Sequence, residues 1–155
     1  DRRVLAALGP KMLELARERS AGAHPYNVTP EHTAITRNAL GPDAVVATEQ
    51  AVFLGSDPSV ARAAGRQHLS IYLGLPNYTN NLRRLGFGDD DFADGGSDRL
   101  IDALVAWGDE ATIAARVQEH RDAGADHVCI QVVNEGVDAP RQQWRALAPA
   151  LTSPI

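Results

Sequence analysis

Cysteine is almost absent, with Cys129 the only one in 155 residues. An internal disulfide is therefore excluded, and a lone thiol inside an apolar run reads as packed core in a reducing compartment, so a cytoplasmic location is expected. No apolar run approaches the roughly 20 residues that span a bilayer. No basic-then-apolar leader opens the sequence, and no membrane partner is expected. Positive charge is scarce as well: Lys11 is the only lysine, and 15 Lys and Arg against 20 Asp and Glu leave a formal net charge of -5. That balance argues against a nucleic-acid partner, which calls for a basic face. Gly-x-Gly-x-x-Gly and P-loop signatures are missing, which disfavours an open nucleotide-binding sheet. No Ser/His/Asp order, metal-spaced His/Cys cluster or paired carboxylates stands out, so no metal is expected and no catalytic residue is assigned.

What is present is an ordinary globular composition, 44% hydrophobic and 23% charged, enough for a single domain over residues 1–155. The chain is organised around Val4 to Leu15, where a short, wholly apolar run enters a helix through Gly9 and Pro10. A run of this kind reads as a strand covered on both faces, the habit of parallel sheets. Pro10 suits a first helical position. Gly9 permits a sharp turn and close approach of a ligand. The free amides of that helix N-terminus form a ready anion site, with Lys11 beside it.

The same unit then repeats. The first helix runs to about Ser20, with Met12, Leu13 and Ala16 expected on its inner face. Ala21 to Tyr26 is a second short strand, and Thr29 is an expected N-cap, with Pro30 opening a helix to about Leu40. Ala44 to Leu54 is the strongest strand, and Asp57 with Pro58 starts a helix to about Leu73. From Gly74 to Trp107 the pattern breaks into an irregular insertion with short helices near Tyr78 to Leu85 and Ser97 to Val105, and Asp89 to Asp91 read as a solvated loop. Asp109 then caps a helix to about Ala123, a fourth strand begins near His127, Asn134 to Ala139 form a loop, and a last helix runs from Pro140 to about Pro149. Repeated strand and helix units fit an open doubly wound sheet or a TIM-type barrel. Four strands are half of the eight that a barrel needs.

Ala6 to Ala16 (Ala-Ala-Leu-Gly-Pro-Lys-Met-Leu-Glu-Leu-Ala), Gly22 to Thr33 (Gly-Ala-His-Pro-Tyr-Asn-Val-Thr-Pro-Glu-His-Thr) and Tyr72 to Leu82 (Tyr-Leu-Gly-Leu-Pro-Asn-Tyr-Thr-Asn-Asn-Leu) carry a resemblance. With Val-Ala-Trp-Gly-Asp-Glu and Gly-Ala-Asp-His-Val further on, they resemble the C-terminal half of the luciferase-like monooxygenase family, and within it the branch of probable oxidoreductases that use the deazaflavin coenzyme F420. The resemblance implies strands five to eight of a (β/α)8 barrel, a half-barrel whose strands one to four have no counterpart here. It implies hydride transfer between coenzyme F420 and a small organic substrate. FMN with a monooxygenase reaction is the alternative cofactor, and a non-catalytic half-barrel that binds or assembles is the alternative class. Partners implied are the cofactor, a small substrate, and either a second copy or an N-terminal half-barrel.

The resemblance also places the cofactor phosphate on the backbone at Leu8 and Gly9, where the helix N-terminus had already pointed, with Lys11 nearby. Tyr26 and Asn27, at the C-terminal end of the second strand where barrel enzymes put their chemistry, are candidates for contacts to the cofactor tail. His24 is either a packed histidine or part of the pocket. Glu49 interrupts an apolar strand and is either hydrogen-bonded structurally or placed in the substrate pocket. Asn77, Tyr78 and Asn81, with Tyr72 and Arg84, are spaced over helical turns and suit a wall above that pocket or an oligomer surface.

Overall fold

A computed structural model describes residues 3–133 and 140–152, so the expected loop over 134–139 lies outside the described residues. In chain order the elements are β1 (Val4–Leu5), α1 (Pro10–Arg19), β2 (Gly22–Ala23), α2 (Pro30–Leu40), β3 (Val45–Leu54) and α3 (Pro58–Leu73). There follow α4 (Pro76–Arg84), α5 (Asp89–Phe92), α6 (Asp98–Leu104), β4 (Val105–Gly108), α7 (Glu110–Asp122), β5 (His127–Val132) and α8 (Arg141–Thr152). Helix starts follow local chemistry. Proline opens α1, α2, α3 and α4, where its missing N–H costs nothing. Asp57 accepts the Ser59 N–H at 2.8 Å, Ser97 the Leu100 N–H at 3.1 Å and Asp109 the Thr112 N–H at 2.8 Å. Thr29 stands at the N-cap of α2 without a side-chain capping bond.

All strand pairs are parallel, and β3 holds them together. Successive residues of a strand turn their backbone groups to opposite edges. The N–H groups of Val45, Glu49 and Gly55 donate to Ala21, Pro25 and Gly108, whereas the carbonyls of Val46 and Val52 accept from Asp126 and Val133. One edge of β3 is thus shared between β2 at its start and β4 at its end, and the other edge belongs to β5. This α/β half-barrel architecture is the expected fold class, with one strand more than expected. β4 is only four residues long and follows α6 directly, so its apolar start continues the helical pattern and hides the change of period.

Side chains alternate as well. Val46, Thr48, Gln50 and Val52 are fully buried on the face covered by helices. Val46 packs with Ala7, Leu13, Ala16 and Leu40 under α1 and α2, and Val52 with Ile113, Val132 and Leu147 under α7 and α8. Full burial of each such valine stabilises by about 1.5–3 kcal/mol. Between these clusters lies a satisfied polar network. Gln50 Oε1 accepts from His120 Nε2 at 2.8 Å, Gln50 Nε2 donates to Leu104 O at 3.0 Å, and Thr33 bridges His120 Nδ1 and Thr48 Oγ1. On the opposite face Ala51 and Val105 pack with α3, α4 and α6 through Leu69, Leu82, Leu100 and Ile101, while Val45 stays 40% exposed.

Two expectations change. Met12 is 41% exposed, because its turn of α1 overhangs a cleft instead of the core. Asp89 to Asp91 form the short α5, and Asp91 is held by Arg99, by Ser97 Oγ at 2.7 Å and by the Gly88 N–H at 2.9 Å.

Gly22 is the tightest point of the sheet. Its φ is +157°, and a Cβ there would lie 1.9 Å from Val45 O, an overlap with backbone that no rotamer relieves. Gly22→Ala should break the β2–β3 pairing and cost about 3 kcal/mol or more, read as a lowered midpoint in thermal or urea unfolding. An unchanged midpoint would contradict this register.

Candidate functional site

The turn between β1 and α1 begins the site. Gly9 has an ordinary φ of −85°, so its conformation does not require glycine; what the missing side chain leaves open is the space toward Arg84. A Cβ on Gly9 would lie 3.6 Å from an Arg84 guanidinium nitrogen. Met12 and Leu13 both donate to Gly9 O at 3.0 Å, which leaves the Lys11 N–H at the helix start with no intrahelical acceptor. His32 Nε2 donates to Leu8 O at 2.9 Å and fixes the turn from behind. Lys11 and Arg84 form no ion pair with a described residue. Two free cations beside a helix N-terminus make a favourable place for an anion.

From this end a cleft of about 380 Å³ runs past His24 and Tyr26 to Asn77 and Tyr78. Tyr26 and Tyr78 line it, and Tyr72, which does not, packs against both: the Tyr26 and Tyr72 rings are 5.5 Å apart and Tyr72 and Tyr78 5.0 Å, with His68 5.6 Å from Tyr72. Burial, helped by Tyr72 and Glu49, holds the Tyr26 phenol well above its usual range, so it stays protonated and donates to Gln131 Oε1. His24 Nδ1 donates to Ala47 O at 2.5 Å, which fixes the ring and leaves Nε2 free of that bond. His24 and Tyr26 also border a second cavity of about 470 Å³ with Glu49, Cys129, Gln131 and Trp144.

Leu8, Gly9, Lys11, His24, Tyr26, Asn77 and Tyr78 thus meet at one cleft. Three other candidates stand elsewhere. Glu49 borders the second cavity alone. Asn27 is buried behind the cleft at φ +52°, the left-handed region that asparagine tolerates, with its N–H on Glu49 Oε2 at 3.0 Å and its Oδ1 3.3 Å from His68. Asn81, buried on α4, lies near His32 and borders a neighbouring groove between α1, α2 and α4. His32, His68 and Trp144 were not singled out in the sequence. His32 sits on α2 with no local signal of its reach to Leu8, and Trp144 lies on α8, far along the chain from His24, Tyr26 and Glu49.

No family model matches this sequence, and no curated protein matches it. Solved structures do. An F420-dependent secondary alcohol dehydrogenase in complex with an F420-acetone adduct superimposes with a TM-score of 0.64 at 15% identity, over 97% of this chain and 50% of that one. The chain has the fold of about half of that enzyme. The coenzyme F420-dependent tetrahydromethanopterin reductase from Methanopyrus kandleri gives 0.68 at 20% identity, over 92% and 47%. EDTA monooxygenase from Chelativorans sp. BNC1 gives 0.63 at 16%, over 96% and 43%. This chain spans about half the length of these structures, and at such identities the likeness is one of fold.

Two buried groups titrate in opposite senses. Burial pushes Glu49 up to about 7 and His120 down to about 4. Glu49 is the raised acid: the folded state holds its proton longer than the unfolded one, so its contribution is complete at low pH and is lost as pH rises from about 4.3 to 7. His120 is the lowered base, whose contribution is complete above about 6.5 and is lost as pH falls toward 4. Glu49→Gln keeps an acceptor for the Asn27 N–H and removes only the first effect. The variant should exceed wild type at pH 8 by roughly 1–3 kcal/mol in urea unfolding and match it near pH 4. A constant difference across that range would show that Glu49 is not the group responsible.

Proposed function

We propose that the chain is the cofactor-binding half of an oxidoreductase that uses a flavin-type coenzyme, deazaflavin F420 in the first instance, and a small organic substrate. The observation that carries this reading is one cleft with two cations at one end that form no ion pair with a described residue, and with Tyr26 and Tyr78 along its side. Those ends match a ligand that joins a phosphate to a planar ring system. The fit is chemical: the Lys11 N–H and side chain with Arg84 would receive the phosphate, and the Tyr26 and Tyr78 rings, backed by Tyr72, would receive the ring system or its tail. Such a coenzyme supplies a hydride acceptor. The chain's own residues hold and orient it: His32 fixes the carbonyl at Leu8, His24 is locked on Ala47, and the Tyr26 to Gln131 bond ties β2 to β5 across the cleft floor. The F420-dependent neighbours and the monooxygenase neighbour share this fold, so FMN is the competing ligand.

Titration of the purified protein with F420 and with FMN, followed by fluorescence, separates the cofactors. Saturable quenching by F420 alone is expected. Lys11→Ala and Arg84→Ala should each weaken binding by about 1–2 kcal/mol, an effect that shrinks as salt rises. Gly9→Val fills the space between the turn and Arg84 and should cost at least about 1 kcal/mol. Quenching by FMN alone reassigns the cofactor, and no response to either supports a non-catalytic half-barrel.

Assembly belongs to the same reading. Among the described residues β1 pairs only with β2 and β5 only with β3, so each presents a free edge, and the sheet face around Val45 is half open. Open edges and apolar faces are covered in natural proteins. A second copy or the strands of an N-terminal half-barrel would cover both. Light scattering on the 155-residue chain is expected to give a dimer or larger species. A folded monomer with a cooperative melt would remove the need for a partner.

A further inference from the structure

Glu49 has no task in holding the cofactor. Its carboxylate is 3% exposed, Oε2 accepts the Asn27 N–H at 3.0 Å, and Oε1 is buried without a hydrogen-bond partner. Native interiors rarely leave a carboxylate oxygen unpaired, because its desolvation goes uncompensated. Yet this residue borders a cavity of about 470 Å³, large enough for a small organic molecule, whose wall at His24 and Tyr26 is shared with the cofactor cleft. No lysine or arginine is among the described residues bordering that cavity.

The neighbouring groups come from every element packed around it. His24 from the end of β2 has Nδ1 engaged on Ala47 O, and Tyr26 is engaged on Gln131 of β5. Cys129 of β5 stands opposite Glu49 in the sheet, its thiol pushed up by burial and by Glu49 itself. Tyr78 of α4 is held in its neutral form by burial, with Tyr72 and Glu49 adding to the effect. His68 of α3 faces Asn27, and burial lowers its proton affinity. None of these is a fixed cation, so nothing in the surroundings holds Glu49 permanently charged. Burial brings its titration to about 7, where it gains or loses one proton at little cost.

We propose that Glu49 exchanges a proton with the substrate, and that the substrate group seated beside its carboxyl is an uncharged hydroxyl or carbonyl. This rests on the oxidoreductase reading above. In the oxidative direction an alcohol carbon loses hydride, with its electron pair, to the flavin-type acceptor. The C–O bond becomes C=O, and the hydroxyl proton passes to the Glu49 carboxylate. In reverse, protonated Glu49 returns that proton to the oxygen as the carbon regains hydride. A substrate that placed its own carboxylate or phosphate here would meet a buried acid and no compensating cation, and is rejected.

Cys129, the only cysteine, borders the cavity and reports its occupancy. The purified protein is alkylated with iodoacetamide at pH 7.5 in the presence of cyclohexanol, cyclohexanone or cyclohexanecarboxylate, and modification is followed by mass. The two neutral probes are expected to slow alkylation at least threefold, and the carboxylate to leave it unchanged. In Glu49→Gln the carboxylate should protect as well as the neutral probes. Carbon-13 NMR of glutamate-labelled protein should show one side-chain carboxyl titrating near pH 7, absent from Glu49→Gln. The proposal is overturned by equal protection from the carboxylate in wild type, by no protection from the neutral probes, or by the lack of that titration. If the titration and the protection hold but no flavin binds, the oxidoreductase reading fails and the proton-exchanging site remains. If flavin binds and Glu49 stays charged through pH 7, this inference alone fails.

Discussion

The alternation of side chains along β3 is the constraint on which the other parts depend. A strand with both edges hydrogen-bonded cannot slip by one residue without sending every side chain to the other face. Here that slip would drive Glu49 into the layer where His120 meets Gln50, and would turn Val46 and Val52 toward the open face. The cost would be several buried valine equivalents and an unmatched carboxylate, so the register is fixed by energy and not by the two-residue strands beside it. Because β3 bonds β2, β4 and β5, the same register sets where His24, Tyr26, Cys129 and Gln131 stand around Glu49.

Polar groups divide along the same line. On the helix-covered face Gln50, His120, Thr33 and Thr48 satisfy one another, and such a closed network specifies how α2 and α7 seat on the sheet. On the other face the polar atoms are left incomplete: Glu49 Oε1 and Asn27 Nδ2 are buried without partners, and Asn27 holds a left-handed backbone. Residual cost of this kind collects where function needs it. The contrast between Gln50 and Glu49, adjacent residues with similar shape, shows that the chain tolerates a buried polar group on either face but completes its bonds on only one.

Most of the fold could be read from local signals, because those signals are the physical causes of the elements. Asp57, Ser97 and Asp109 precede helices that they cap, and Pro10, Pro30 and Pro58 open helices that tolerate them. The ten-residue β3 announced itself by composition. β4 did not, since four apolar residues after α6 carry neither period, and only pairing with Ala51 to Leu54 makes them a strand. Thr29 has the right residue type for a cap and makes no capping bond, which composition cannot reveal.

The site was legible in pieces and not in its arrangement. Gly9 and Lys11 could be marked as candidates because a helix N-terminus is encoded locally, and Leu8 by the resemblance, whereas the approach of Arg84 to Gly9 joins the turn before α1 to α4, which only the packing of the irregular segment brings together. Asn81 illustrates the converse. Helical spacing put it beside Asn77 and Tyr78, yet it lies four residues beyond Asn77 and one turn lower, where α4 dips into the protein near His32. Burial is what separates the two: Asn81 is 3% exposed and borders the groove between α1, α2 and α4, whereas Asn77 and Tyr78 line the cleft, so helical spacing alone joined residues that the tilt of α4 sets apart.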